Sequence, residues 1–295
     1  MINPKKEKKI EKLFTLIAYS SLMFLLGIMF VLFKEGLPLV REINMRGFLF
    51  GHYWYPTHTS PEFGILPLVS ATLFVTFGAM VIAIWLGISS ALFLHELAGP
   101  RLRNILKPVI EILAAIPSIV YGFFGMLIVA PFVQNILDLP VGLCALSASL
   151  ILGLMAVPTV CSMTEDALNY VPRHFKEASL AIGATRWQTL LYVMIPAAGS
   201  GISTAVILGM SRVIGETMTV LMVAGGAAVI PTSYFQPVRT MTATIAAEMG
   251  ETVIGSTHYH ALFMIGLILF AMTMVLNIIA DNISKKCRCR LGLGQ

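Results

Sequence analysis

Six windows of about 20 apolar residues recur along this 295-residue chain, and that is the length a helix needs to cross roughly 30 Å of hydrocarbon. They lie at 13–33, 68–94, 108–130, 141–163, 195–224 and 261–281. Inside lipid every backbone donor and acceptor must be satisfied within its own segment or a closed barrel, so windows of this length are expected to be helices. Only 12% of the residues are charged, against about a quarter in a soluble domain. The expectation is an all-α integral membrane protein with six transmembrane helices.

The first window, "LFTLIAYSSLMFLLGIMFVLF", follows the basic "KKEKK", as the core of a cleaved signal peptide would. Its length exceeds the usual 7–15-residue signal core, and no small-residue cleavage pattern precedes Lys34. It is read as a retained helix.

Lys and Arg near span ends stay on the cytoplasmic side. Lys5, Lys6, Lys8, Lys9 and Lys12 precede the first window, Arg101, Arg103 and Lys107 fall in loop 95–107, and Arg173, Lys176 and Arg186 in loop 164–190. Lys285, Lys286, Arg288 and Arg290 follow the last window, whereas the alternate loops hold only Lys34, Arg41, Arg46 and Arg239. This alternation predicts both termini in the cytoplasm. It also accounts for the net charge of +5 as membrane orientation, with no case for nucleic-acid binding. Cys144 and Cys161 read as small buried residues of the fourth span, and Cys287 and Cys289 as reduced cytoplasmic thiols.

The stretch "VPRHFKEASLAIGATRWQTLLYVMIP", 171–196, starts too polar for lipid. It reads as a helix offering Phe175, Ala178, Leu180 and Ile182 for packing, a turn at Gly183, which lacks a Cβ, and a second helix up to Pro196. That is the shape of a docking knob.

"SRVIGETMTV", 211–220, places Arg212 and Glu216 one helical turn apart inside an apolar window. Each costs about 2.5–3.5 kcal/mol at mid-membrane, so such residues face a protein interior or a water-filled path. On one continuous helix Arg212 and Glu216 share a face, with Ser211, Gly215 and Thr219 on it or beside it. Arg212 offers a planar fork of donors suited to an oxyanion. The residues alone leave two readings open: a pathway for such an anion, or a pair that neutralises itself and holds helices together.

Pro117 and Pro158 can each kink or interrupt a helix, and the small residues of "AAGSGISTA", 197–205, allow close helix approach. Tyr53, Trp54 and Tyr55 suit a membrane interface. His52, His58, His258 and His260 read as solvated rather than metal-ligating. "PVRTMTATIAAEMGE", 237–251, reads as a short external helix, with Arg239 solvated or in contact with a binding protein.

Glu177-Ala178-Ser179, three residues, Gly183, nine residues, then Val193-Met194-Ile195-Pro196 resembles the EAA-x3-G-x9-I-x-L-P loop of ABC-importer permeases. The chain is identified as a member of the binding-protein-dependent transport (CysTW) permeases. "SRVIGETMTV" and "FGILPLVSATL", 63–73, are similar to the phosphate-specific permeases of the PstC type. The resemblance covers about 60–280 and implies a type I ABC importer permease fold. It divides the chain into a tail, first helix and outer loop at 1–65, a permease domain at 66–285 and a cytoplasmic tail at 286–295.

The resemblance further implies that Glu177, Ala178, Gly183 and Pro196 belong to an ATPase-coupling loop, and that Ser211, Arg212, Glu216 and Thr217 line the substrate path. The implied partners are a homologous PstA-type permease, PstB-type ATPase subunits and a PstS-type periplasmic phosphate-binding protein, in the inner membrane of a bacterium. No G-x-x-x-x-G-K-[ST] loop occurs, so the chain is read as non-catalytic, without cofactor or metal. Glu216 repels a phosphate anion; it would either hold Arg212 away until phosphate arrives or accept a hydrogen bond from protonated phosphate. The coupling loop says nothing of substrate, so sulfate or molybdate stays open beside phosphate. A secondary transporter or membrane enzyme would show inverted repeats or clustered His, Asp and Glu, which the sequence does not display.

Overall fold

The computed structural model describes residues 4–290. Residues 1–3 and 291–295 of the two tails lie outside the described residues, as do the side chains of Lys5, Lys6, Lys8, Lys9, Lys286, Cys287, Arg288, Cys289 and Arg290. Helix α1 (Pro4–Gly36) comprises the first apolar window and its basic lead-in. Most of its large apolar side chains from Ile10 to Phe33 are exposed, and it packs chiefly against α15 (Thr257–Arg290). Two short helices, α2 (Leu39–Glu42) and α3 (Met45–Phe50), and a hairpin of β1 (Trp54–Tyr55) and β2 (Glu62–Phe63) fill the loop to the second span. The hairpin and an isolated β-bridge between Gly225 and Val238 are the departures from an all-helical chain among the described residues.

Helix α4 (Leu66–Leu92) opens with Pro67 in its first turn, where a missing N–H costs nothing, and ends in a wide π-type turn, Phe93–Leu97. It packs along α8 (Ala145–Asn169). The seam is built from small and β-branched side chains: Ala71, Val75, Ala79 and Ala83 against Ala145, Ala148, Ala156 and Val160. Small residues let the backbones approach, which is how helices gain packing in lipid. Val160 marks one close point, shared by α4 and α12. A Cβ on Gly87 of α4 would meet Val160 Cβ at 2.9 Å, and one on Gly209 would meet Val160 Cγ2 at 2.7 Å.

The third span is displaced from its expected place at 108–130. Helix α5 (Pro100–Ala115) is amphipathic and buries no residue, and the chain then breaks at Ile116 and Pro117. The membrane-length segment is Ser118–Leu137, built from α6 (Ser118–Phe124), a π-type turn at Gly125–Val129 and α7 (Ala130–Leu137). Pro117 adopts an extended conformation (ψ 137°), as does Ile116 before it (ψ 131°), because a proline disfavours the α region for its predecessor. Pro158, by contrast, lies within a continuous α8.

After α8 come α9 (Arg173–Ala181), α10 (Arg186–Thr189), a π-type turn at Leu190–Met194 and α11 (Ile195–Ala197). The chain bends by 70° into α12 (Gly199–Ile214). Gly201 there lies against Ala167 of α8, the close approach expected of the small-residue stretch. The fifth window is therefore not one helix over 195–224. It breaks again at 215–217 before α13 (Met218–Val223). Helix α14 (Met241–Glu248) lies inside the expected 237–251. Among the described residues, five helical segments are long and apolar enough to cross a membrane, and the bent pair makes a sixth if it is one span. Residues 286–290 continue α15.

A second core caps the end of the bundle opposite α9: Leu39, Phe48 and Trp54 meet Ile65, Leu68, Met241 and Leu262.

Candidate functional site

Arg212 lies one turn from the end of α12, and its guanidinium points at two other elements. Nη1 donates to Thr159 Oγ1 of α8 at 3.3 Å, and Nη2 donates to the Ala114 carbonyl of α5 at 3.2 Å. The second acceptor exists because of the proline break. With α5 ending at Ala115, the Ala114 carbonyl has no helical successor to bond, and helix ends leave such groups for other partners. Tyr121 closes the same corner by donating to the Leu113 carbonyl at 2.9 Å. Both acceptors of Arg212 are neutral, and among the described residues no carboxylate stands within ion-pair distance of it.

Glu216 does not share a helix face with Arg212. The helix stops at Ile214, Glu216 and Thr217 lie in the non-helical break, and α13 starts anew. Glycine at 215 weakens the helix there, and Thr242 of α14 donates to the Glu216 carbonyl at 2.8 Å. The Glu216 carboxylate lies 3.3 Å from the Thr219 hydroxyl, which also reaches the Ser118 carbonyl at 2.9 Å. Thr217 donates to the Gly215 carbonyl. Ser211 faces the other way, donating to Asn277 of α15 at 3.0 Å. The four expected pathway residues thus separate into three surroundings. Self-neutralisation of Arg212 by Glu216 is not what holds the helices.

The loop after α8 folds as a helix, a glycine turn and a helix. Gly183 has φ +88°, with nothing within 4 Å of a Cβ placed on it; its requirement is the backbone angle alone. Thr185 then caps α10 through a reciprocal box with Gln188. Glu177, Ala178, Gly183 and Pro196 are all exposed. Of the apolar residues expected to pack, Phe175, Leu180 and Ile182 are also exposed, Ile182 to 86%, so among the described residues nothing covers them. Only Ser179 of α9 is buried, sharing a hydrogen bond with Thr189.

Three polar clusters escaped the sequence reading. At the α9 end, Glu165 of α8 is 1% exposed and is held by Arg103, by Lys107 at 2.7 Å and by Asn169 at 3.1 Å. Its hydrogen bond, opposed in part by burial, keeps the Lys107 ammonium above the usual lysine range. Nearby, Lys176 of α9 donates to both Glu96 oxygens at 2.9 and 2.7 Å. At the opposite end Glu248 accepts from Trp54 Nε1 (3.1 Å) and Arg239 Nη1 (2.6 Å) and bonds His258 Nε2 (2.8 Å). Arg239 and His258 are therefore engaged rather than solvated, and His260 is buried against the Glu35 carbonyl. Arg103, Glu96 and Trp54 lie 62 to 194 residues from their partners, and Lys107 lies similarly far from Glu165; the nearer pairs are Glu165 with Asn169 at i,i+4 and Glu248 with Arg239 and His258, 9 and 10 residues away.

The model of the family described as "Binding-protein-dependent transport system inner membrane component" matches residues 83–288. A probable ABC transporter permease protein, YqgH, of Bacillus subtilis is 38% identical over 248 residues, 84% of this chain and 80% of that protein. The phosphate transport system permease protein PstC of Mesorhizobium japonicum is 36% identical over 264 residues, 83% and 80% of the two chains. Among solved structures, a chain of a bacterial alginate ABC transporter superposes with a TM-score of 0.66 at 13% identity over 96% of each chain. The inward-facing MetNI methionine ABC transporter gives 0.59 at 22% identity, covering 74% of this chain and 93% of that one. With that family model over most of its length and that fold around it, the chain belongs to the binding-protein-dependent transport system inner membrane components, as a multi-pass type I ABC importer permease that leaves ATP hydrolysis to a separate subunit.

Proposed function

We propose that this permease moves inorganic phosphate into the cytoplasm, and that Arg212 meets the anion on its way. The observation that carries the reading is the guanidinium of Arg212, half-buried where α5, α8 and α12 meet and, among the described residues, bonded only to a hydroxyl and a carbonyl. A cation so held keeps its full charge for a passing anion, and its planar fork matches a phosphate's oxygens. Several relatives are named as phosphate transport permeases of the PstC type, which supports phosphate over another oxyanion.

On this reading Glu216, Thr217 and Ser211 border the path. One arginine does not balance a dianion, so a homologous PstA-type permease supplies further positive charge. The exposed apolar face of α9, with Glu177, Ala178 and the Gly183 turn, seats in a PstB-type ATPase subunit, and Pro196 starts the bend into the membrane. The α14 end receives a PstS-type binding protein, both termini are cytoplasmic, and 66–285 is the permease domain.

The test is uptake of radiolabelled phosphate by cells holding the whole system, with wild type compared with Arg212→Gln at matched membrane levels. Uptake by the wild type and its collapse in the variant, with assembly intact, are expected. Loss of assembly in the variant returns Arg212 to a structural role. Absence of wild-type phosphate uptake with the ATPase still bound redirects the substrate to sulfate or molybdate.

A further inference from the structure

Helix α9 is tied to its own chain by very little. Pro172 before it is extended (ψ 134°) and Gly183 after it takes a positive φ, so both ends are non-helical joints. Ser179 bonds Thr189 of the neighbouring α10; the turn that follows α10 is fixed to the end of α8 through Leu190 and Met194 against Leu168 and Val171, but α9 itself buries only Ser179. The polar link from α9 to the spanning bundle is Lys176, whose ammonium grips both oxygens of Glu96, 80 residues earlier in the chain. The Glu96 side chain is 9% exposed, so water screens this pair less than a surface pair.

Glu96 sits in the turn that closes α4, where Leu94 and Ala91 pack against Cys161 of α8. From there α4 and α8 run together along their close-packed seam, and packed interiors transmit displacement rather than absorb it. The next inward residues of α8 include Thr159, the acceptor of Arg212.

We propose that the Lys176–Glu96 pair is the strut by which movement of α9 is passed to α4 and α8, and so to the surroundings of Arg212. This rests on the reading of α9 as the ATPase-docking element. Lys176 and Glu96 are positioning residues: the Lys176 ammonium is engaged by Glu96, and neither residue touches the path. With the strut cut, the knob pivots on Pro172 and Gly183 while the ATPase stays docked and continues to turn over ATP.

The experiment uses the full chain assembled with its ATPase subunits, as wild type, Lys176→Met, Glu96→Gln, and the charge exchange Lys176→Glu with Glu96→Lys. Two quantities are read: the amount of ATPase that co-purifies, and amide hydrogen exchange over 215–217 with and without ATP plus vanadate. Neither depends on the identity of the transported anion. ATP–vanadate is expected to change exchange in that segment at least fivefold in wild type, less than twofold in each single variant, and again severalfold in the charge exchange, with ATPase capture equal throughout. The proposal is overturned by single variants that respond as wild type, by a charge exchange no better than they are, by a wild type that does not respond, or by single variants that lose the ATPase. Failure of the docking reading shows separately, as undiminished ATPase capture after Ile182→Asp with Phe175→Asp.

Discussion

Thr159 accepts a hydrogen bond from Arg212 across the α8–α12 contact at 3.3 Å, and with the Ala114 carbonyl it fixes where that guanidinium sits. Thr159→Val keeps the shape and removes the acceptor; Thr159→Ser keeps the acceptor. Hydrogen bonds within membrane proteins average about 0.6 kcal/mol, with a maximum near 1.7, and about 1.4 kcal/mol is tenfold. Substrate uptake is therefore expected to fall about three- to tenfold in the valine variant and to return in the serine variant, at equal membrane levels. Equal uptake by both variants would show that Arg212 is positioned by other groups.

Gly183 separates strain from crowding, because a side chain there meets open space but must accept φ +88°. A non-glycine residue in the left-handed region costs about 1–2 kcal/mol, and asparagine pays least among the others. The order expected for ATPase capture by the purified permease is Gly, Asn, Ala, then Val, the β-branched residue being the least able to adopt this backbone. A valine variant that captures the ATPase as well as wild type would remove this turn from the docking reading.

The same residues mark what the sequence discloses. Spans are legible because a 20-residue apolar window has few alternatives in lipid, and Gly183 because its turn depends on local backbone geometry. Arg212 and Glu216 mislead because i,i+4 spacing implies a common face only while the helix continues. What stops it includes Thr242, 26 residues further on. The displaced third span fails similarly: Val109, Ile112 and Leu113 lend 108–115 the hydropathy of a span, yet with Ile105 they form one stripe of a helix that also carries Arg101, Arg103, Lys107 and Glu111. Glu165 lies just past an apolar window and reads as loop; its burial is created by Arg103, 62 residues earlier.

Glu165 is expected to be the most costly of these carboxylates to neutralise. Glu165→Gln leaves Arg103 and Lys107 facing each other without their shared anion, and breaking a buried pair from one side costs about 3–5 kcal/mol. Both cations are about one-third exposed, and water reduces that to about 1–3 kcal/mol. The variant should melt several degrees lower in detergent. The elevated Lys107 pKa gives the pH sense: a raised folded value means the stabilisation is present below lysine's ordinary pKa and is lost as pH rises through the folded one. The melting difference between wild type and Glu165→Gln should accordingly hold through neutral pH and shrink in strong alkali. A difference that instead grows with alkali would exclude Lys107 as its source.

Val160 is pinched between Gly87 and Gly209, and that pinch sets the spacing of α4, α8 and α12. Gly209→Ala puts a methyl 2.7 Å from Val160 Cγ2, closer than carbon atoms tolerate, and overpacking of this kind costs about 1–3 kcal/mol. Val160→Ala alone opens a small void, with a loss of about 1–2 kcal/mol. Combined, the two changes move volume from one side of the contact to the other, so the double variant should be more stable than the sum of the singles by 1 kcal/mol or more, in the range found for contacting residues. Thermal melting of the four proteins in one detergent measures this coupling. Strict additivity would mean that α12 shifts away from α8 to accept the methyl; Arg212 would then lose its hold on Thr159, and uptake by Gly209→Ala should fall alongside Thr159→Val.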